Sequence, residues 1–218
     1  MITVEINGEE RQYPQGATYE DVANDYQKEY DNLIALAARD GKIRELFKKL
    51  TRDCEITFFT LKDDVGNKTY VRSATMLFLK AVFDVFGRET VQNCRVEFAI
   101  GNGSYISPKG KINATEENAA KIRNRMRELV EAKTPFLKKS YSLDNAMELF
   151  QREGMKDKEK LFRYRRGSFV NIYEMDGYYD YYYGYMLPNA GYVKWFDVIA
   201  YEDGFMLLLP DKKRSHAC

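Results

Sequence analysis

Tyr178-Tyr179-Asp180-Tyr181-Tyr182-Tyr183-Gly184-Tyr185-Met186-Leu187-Pro188-Asn189 is the most unusual run in a chain of 218 residues with 17 tyrosines. Aromatic residues suit a half-buried pleated surface, and Asp176-Gly177 and Pro188-Asn189-Ala190-Gly191 supply turn residues on either side, so the run predicts a strand over 178–186. Parity sends Tyr179, Tyr181, Tyr183 and Tyr185 to one side and Tyr178, Asp180, Tyr182 and Met186 to the other. Period-two segments at 168–175, 192–201 and 204–209 make this strand part of an antiparallel sheet.

Upstream of the sheet the period changes to that of helices. Residues 72–86 predict an apolar helix with Met76, Leu77, Phe83 and Phe86 inward, and residues 116–133 a second one, capped by Thr115 and burying Ile122, Met126, Leu129 and Val130. Between them, 95–112 reads as a hairpin centred on Gly101-Asn102-Gly103. Ser142 caps a short helix that runs through Phe150 and stops at Gly154. The first 62 residues differ in pattern. They give strands at 2–6 and 10–13 around an Asn7-Gly8 turn, a helix capped by Thr18 with Asp21 three residues on, and a strand near 33–38. An Asp40-Gly41 turn, a polar helical segment around 42–50 and a strand at 55–61 complete them. That order is a β-grasp pattern. Asp63-Asp64-Val65-Gly66-Asn67 marks a boundary, so the expected fold is α+β: a β-grasp domain at 1–62, an α+β domain with an antiparallel sheet at 63–209, and a tail or linker at 210–218.

Composition excludes several chemistries. One His and three widely spaced Cys, without a C-x-x-C pair, are too few for a His-based triad, a zinc site or a disulfide framework. No apolar run approaches 18 residues, and Met1 leads directly into Ile2-Thr3-Val4-Glu5-Ile6 without a basic or apolar leader, which points to the cytoplasm and away from a membrane. Phosphate loops fail in detail. Gly101-Asn102-Gly103 has Ile106 where a dinucleotide fingerprint needs glycine, and Gly110-Lys111 has Tyr105 where a Walker loop needs its first. His216 stands two residues from the end of the sequence.

With these residues in view, a resemblance becomes specific. Residues 1–62 resemble a TGS domain, a ubiquitin-like β-grasp unit, and the rest resembles the editing domain of threonyl-tRNA synthetase. The carrying segments are Leu61-Lys62-Asp63-Asp64-Val65-Gly66, Ala99-Ile100-Gly101 with Asn102-Gly103-Ser104-Tyr105, and above all Asp180 to Asn189, in which Asp, Gly and Pro-Asn keep the family's spacing. The resemblance implies a site that hydrolyses an amino acid wrongly attached to tRNA, built from His-x-x-x-His on the first helix and Cys-x-x-x-His on a strand. An i, i+4 pair shares one face of either element. Here the four positions hold Arg72, Met76, Tyr182 and Met186. Arginine stays protonated, methionine transfers no protons, and tyrosine with a pKa of about 10 is a poor base at neutral pH, so no catalytic residue, metal or cofactor is expected in this chain. The same architecture precedes the kinase domain of bacterial nucleoside kinases related to uridine kinase. In that setting ATP and magnesium belong to a downstream kinase domain, and this chain is a non-catalytic accessory module that binds a nucleotide, RNA or the kinase itself. The alternatives are a free-standing hydrolase of mischarged tRNA and an RNA-binding module; no DNA partner is expected.

Alternative readings stay open for each remaining feature. Tyr178, Asp180, Tyr182 and Met186 either line a ligand platform, where rings stack on a base or ribose, or simply fill a half-buried strand. Residues 121–166 carry 14 Lys and Arg against seven Asp and Glu. Lys138 and Lys139 in a loop and the dense Arg163-Tyr164-Arg165-Arg166 cluster are candidates for RNA or phosphate contact, for docking on a partner domain, or for a solvated face. Arg72 is expected to pair with Asp180 or to hold an anionic group.

Overall fold

Ile2, Val4 and Ile6 point inward from a strand whose Glu5 faces water, and this alternation starts a mixed sheet in the computed structural model, which describes residues 1–163 and 167–211. Strands β1 (Ile2–Ile6), β2 (Glu9–Tyr13), β3 (Ile34–Arg39), β4 (Lys42–Glu45) and β5 (Cys54–Thr60) pair in the order β2-β1-β5-β3-β4. The β1/β5 pair is parallel and the other three are antiparallel. Asn7 and Gly8 both take positive φ in the β1/β2 turn, as a two-residue hairpin of native twist requires. Helix α1 (Tyr19–Tyr26) opens with the expected capping box: Thr18 accepts from the Asp21 amide while Asp21 accepts from the Thr18 amide. Its Tyr19, Val22, Ala23 and Tyr26 pack on Ile2, Val4, Ile56 and Phe58.

The expected polar helix at 42–50 is instead β4 followed by a turn. Asp40 and Gly41 again take positive φ, and the turn they form returns the chain onto β3, where strand pairing overrides the helix preference of Lys42-Ile43-Arg44-Glu45.

Helix α2 (Asp64–Phe86) begins eight residues before the expected start. Gly66 permits this, because a Cβ there would lie 2.0 Å from the Thr60 carbonyl oxygen, so only glycine lets the first turn press against the end of β5. Asp63 accepts from the Thr60 amide at 2.7 Å, tying the junction. Helices α3 (Arg88–Asn93), α4 (Glu116–Glu131), α5 (Leu143–Arg152) and α6 (Lys156–Phe162) follow, with Thr115 and Ser142 capping α4 and α5 as expected.

Two antiparallel sheets complete the α+β fold. Strands β6 (Arg95–Ile100), β7 (Gly103–Ser107), β11 (Asp197–Tyr201) and β12 (Gly204–Leu208) pair in the order β11-β12-β7-β6, and β8 (Leu137–Ser142), β9 (Phe169–Met175) and β10 (Tyr178–Asp180) in the order β10-β9-β8. Helix α2 is buried along most of its length against α4 and these sheets, with Tyr70, Met76, Leu77, Phe78 and Val82 central to the core. Strand β8 and helices α3 and α6 are additions to the expected elements. Lys138 and Lys139 therefore sit in a strand paired residue by residue with β9, not in a loop.

The tyrosine run departs most from expectation. Pairing with β9 ends at Asp180, and residues 181–189 run without strand pairing to a neighbouring sheet except for a bridge between Asn189 and Pro135. Gly184 explains the break. Its φ of +133° is open to glycine alone, and a Cβ there would lie 2.5 Å from the Arg72 guanidinium carbon. Residues 190–192 form a 3-10 turn, in which the Asn189 side chain accepts from the Gly191 amide, so the strand expected from 192 starts only at Asp197.

Candidate functional site

The even-numbered side of the run turns inward as parity predicts, as far as β10 extends. Tyr178 and Asp180 are buried, whereas Tyr183, beyond the strand, is 86% exposed. Asp180 keeps only 6% of its surface in water. Its carboxylate accepts from the Tyr181 amide at 2.7 Å and lies 3.3 Å from Lys158 Nζ of α6. The Tyr178 hydroxyl approaches it more loosely, at 3.4 Å. Thus the partner of Asp180 is Lys158 and not Arg72.

These groups open onto a cleft of about 300 Å³, whose walls include Thr75, Cys94, Arg95, Tyr178, Asp180 and Tyr182. That volume is at the small end for small-molecule sites. Burial works against the charge on Lys158, but Asp180 and Asp157 outweigh it and hold its pKa above the ordinary lysine value. Burial, reinforced by Asp180, pushes both the Tyr178 and Tyr182 hydroxyls well above 10. Burial also drives the Cys94 thiol up to about 12. At neutral pH the surroundings of Asp180 therefore offer its ion pair with Lys158, the neutral phenols of Tyr178 and Tyr182 and an unreactive Cys94 thiol, and the cleft lining adds Arg95 and the paired Arg88 and Glu153.

The four positions Arg72, Met76, Tyr182 and Met186 lie on α2 and on the segment after β10 that packs along it, although Tyr182 and Met186 share no strand face because β10 ends at Asp180. Arg72 Nη1 donates to the Tyr185 carbonyl at 2.8 Å, and Ser73 Oγ accepts from the Leu187 amide at 3.0 Å with Met186 Sδ 3.9 Å away. They do not, however, line one pocket. Met76 and Met186 are fully buried in the core. Tyr182 stands between the Asp180 cleft and a second, more open cleft of about 500 Å³ bordered by Arg72, Lys138 and Tyr185. The Tyr182 hydroxyl is buried and makes no hydrogen bond of ordinary geometry.

The other candidates lie elsewhere. Lys138 pairs with Glu45 at 2.9 Å and Lys139 with Glu174 at 2.6 Å, so both charges are already matched. Arg163 is exposed at the end of α6; Arg165, Arg166 and His216 lie outside the described residues. Sequence reasoning counted Lys158 only among the basic residues of 121–166 and missed its pairing with Asp180, because nothing in its alternating Lys/Asp/Glu stretch singles it out. It also missed Glu45, from the first sheet, which is 3% exposed and accepts from the Met186 amide, Lys138 and the Tyr173 hydroxyl.

No protein-family model matches the chain. Threonine–tRNA ligase of Thermotoga petrophila is 28% identical over 198 residues, which cover 89% of this chain and 30% of the ligase. The ligase of Maricaulis maris is 28% identical over 193 residues, 88% of this chain and 30% of its own length, and that of Porphyromonas gingivalis 23% identical over 194 residues, 86% and 29%. The chain is similar to a region of threonyl-tRNA synthetases. It spans about 30% of the length of these relatives. Among the described residues, no helix is long and apolar enough to cross a membrane.

Proposed function

We propose that this chain is a non-catalytic form of the synthetase's editing region, preceded by a TGS-type β-grasp unit, and that its Asp180 cleft binds a small amine- or hydroxyl-bearing ligand such as a nucleoside without hydrolysing it. One observation carries this reading. At the four positions where the editing site has imidazoles and a thiol, two side chains are methionines sealed in the core, one is an arginine spent on a carbonyl, and one is a phenol that stays protonated. None can take a proton from water at neutral pH. The sheet order with its parallel β1/β5 pair supports the β-grasp assignment.

In the nucleoside kinase setting implied by the resemblance, such a module would regulate or localise the kinase. The relatives named above are ligases, so that setting rests on the resemblance alone. A second reading, a free-standing hydrolase of mischarged tRNA, draws support from those relatives and from the paired charges of Asp180 and Lys158, which could position an aminoacyl group. Incubation with tRNA carrying a wrong amino acid separates the two. The non-catalytic reading expects deacylation at the uncatalysed rate; accelerated deacylation that Tyr182→Phe or Asp180→Asn abolishes would overturn it. Thermal-shift measurements against nucleosides, nucleotides and amino acids then identify the ligand class, since a ligand bound only by the folded state raises the melting point.

A further inference from the structure

Strand β6, at one edge of its four-stranded sheet, has every residue from Arg95 to Ile100 exposed, whereas all residues of its neighbour β7 are buried. The layer that buries β7 stops short of β6. Most of β6 is apolar, and Val96, Phe98 and Ile100 each keep about half of their surface in water. Phe98 stacks on Tyr105 at 4.8 Å, and Tyr105 meets Tyr201 edge-on at 6.1 Å, so an aromatic surface continues from β6 across the sheet. An apolar edge strand left in water is a template for another strand.

The hydrogen-bond pattern fixes which part of this edge is free. Gly101, with a φ of +58°, and Asn102 form a two-residue turn closed by Ile100 and Gly103. The closing pair bonds to itself, so the next residue, Ala99, turns its N–H and C=O away from β7. A register shift between Val96 and Phe98 leaves a bulge at Glu97, which ends the regular ladder there. Pairing is thereby confined to Phe98-Ala99-Ile100.

A twofold axis at Ala99 suits these three residues. It sets Ala99 against its own copy with two mutual N–H to C=O bonds, and twice sets Phe98 against Ile100 of the partner subunit, an aromatic beside a β-branched side chain. Glu97, held by Lys109, falls opposite Gly101 of the partner subunit, where no side chain stands in the way. The two Glu97 are then about 14 Å apart, beyond the Debye length of about 8 Å at physiological salt. An axis at Glu97 would instead put two carboxylates face to face.

We infer that two copies of this chain pair antiparallel through Phe98-Ala99-Ile100 of β6, joining their four-stranded sheets edge to edge. The opposite edge does not extend the series, because the Val198 carbonyl of β11 is engaged by Arg123 Nη1 at 2.8 Å. A strand of this length, about 20 Å, covers less than the roughly 800 Å² per partner of a standard interface, so the pair is weak and concentration-dependent. Arg95 and Val96 line the Asp180 cleft but the pairing residues do not, and the inference stands whatever that cleft binds.

Sedimentation velocity of the full chain from about 10 to about 500 μM tests this, the average mass rising from that of one chain toward that of two. Ala99→Pro removes a donor that faces away from β7, and it raises the dimer dissociation constant at least about tenfold while the monomer still melts cooperatively. Ile100→Lys sets an ammonium beside Phe98 of the partner subunit and weakens pairing by a separate route, so it decides the question should Ala99→Pro fail to fold. Ala99→Cys, with Cα atoms about 5.5 Å apart across the axis, forms a disulfide-linked dimer under mild oxidation faster than the wild type or Glu97→Cys. A single-chain mass throughout the range, a continuing series of larger species, unchanged association in the folded variants, or no gain in cross-linking at Ala99 would overturn the inference.

Discussion

Glu45 and Asp180 are both almost wholly buried carboxylates, yet the structure uses them in opposite ways. Glu45 is reached by three donors from the second part of the chain: an ammonium, a phenol and a backbone amide. It closes the junction between the first sheet and the core, and it lines neither of the two clefts described above. Asp180 has one firm amide donor, with Lys158 at 3.3 Å and the Tyr178 hydroxyl at 3.4 Å as longer partners, and its surroundings open into a cleft. A fully saturated acid holds parts together. One beside an opening, whose lysine and phenol contacts are long, can still accept a hydrogen bond from something that enters.

The largest effect expected from this contrast is at Glu45. Glu45→Ala strands Lys138 and removes the acceptor for Met186 and Tyr173, and loss of one partner from a buried ion pair costs about 3–5 kcal/mol. Urea unfolding should register that loss, with the Asp180 cleft disturbed as well because the same residue positions segment 184–186. A cost below about 1 kcal/mol would show that the junction does not depend on this carboxylate. Next is Gly184→Ala, which places a Cβ at a left-handed φ and against the Arg72 guanidinium. About 2–3 kcal/mol is expected from strain and displacement together. Asp180→Asn should cost less, about 1–2 kcal/mol, since Lys158 is partly exposed and can turn to water, but it should abolish any ligand-induced rise in melting temperature. If Asp180→Asn matched Glu45→Ala in unfolding energy and left ligand binding intact, the two acids would not differ in role.

The same contrast explains what could be read in advance. The Thr18–Asp21 capping box, the Asn7-Gly8 turn and the caps Thr115 and Ser142 are settled within three or four residues, so local sequence carries them. Spacing puts Arg72 and Met76 one turn apart on α2, but the strand it assumes for Tyr182 and Met186 ends at Asp180. What spacing cannot say is that the methionines are sealed inside, since burial depends on what α2 meets. The strand expected to Met186 stops at Asp180 because Gly184 must pass Arg72, a neighbour from the far side of the chain. Strand β8 shows no alternation of apolar and polar residues, for Leu137-Lys138-Lys139-Ser140-Tyr141-Ser142 is mostly polar and becomes a strand only by pairing with β9. Glu45 and Lys158 acquire their roles from partners distant in sequence.

Tyr182 gives the smallest expected effect at neutral pH and the clearest change with pH. Its buried hydroxyl has only a loose contact with Asp180, so Tyr182→Phe should leave stability within about 1 kcal/mol of the wild type. Above pH 10 the comparison with the wild type shifts further. The folded-state pKa is raised by burial and by Asp180, whereas the unfolded chain ionises near 10. As pH climbs past about 10 the unfolded chain releases a proton that the folded one retains, and stability falls by up to about 1.4 kcal/mol per pH unit for this one group. Tyr178 contributes with the same sign. The double variant Tyr178→Phe/Tyr182→Phe should therefore show a visibly flatter loss of stability between about pH 10 and 11 than the wild type in urea titrations. Identical slopes would mean that both phenols reach solvent, in which case the wall between the two clefts is open and the site is larger than its 300 Å³.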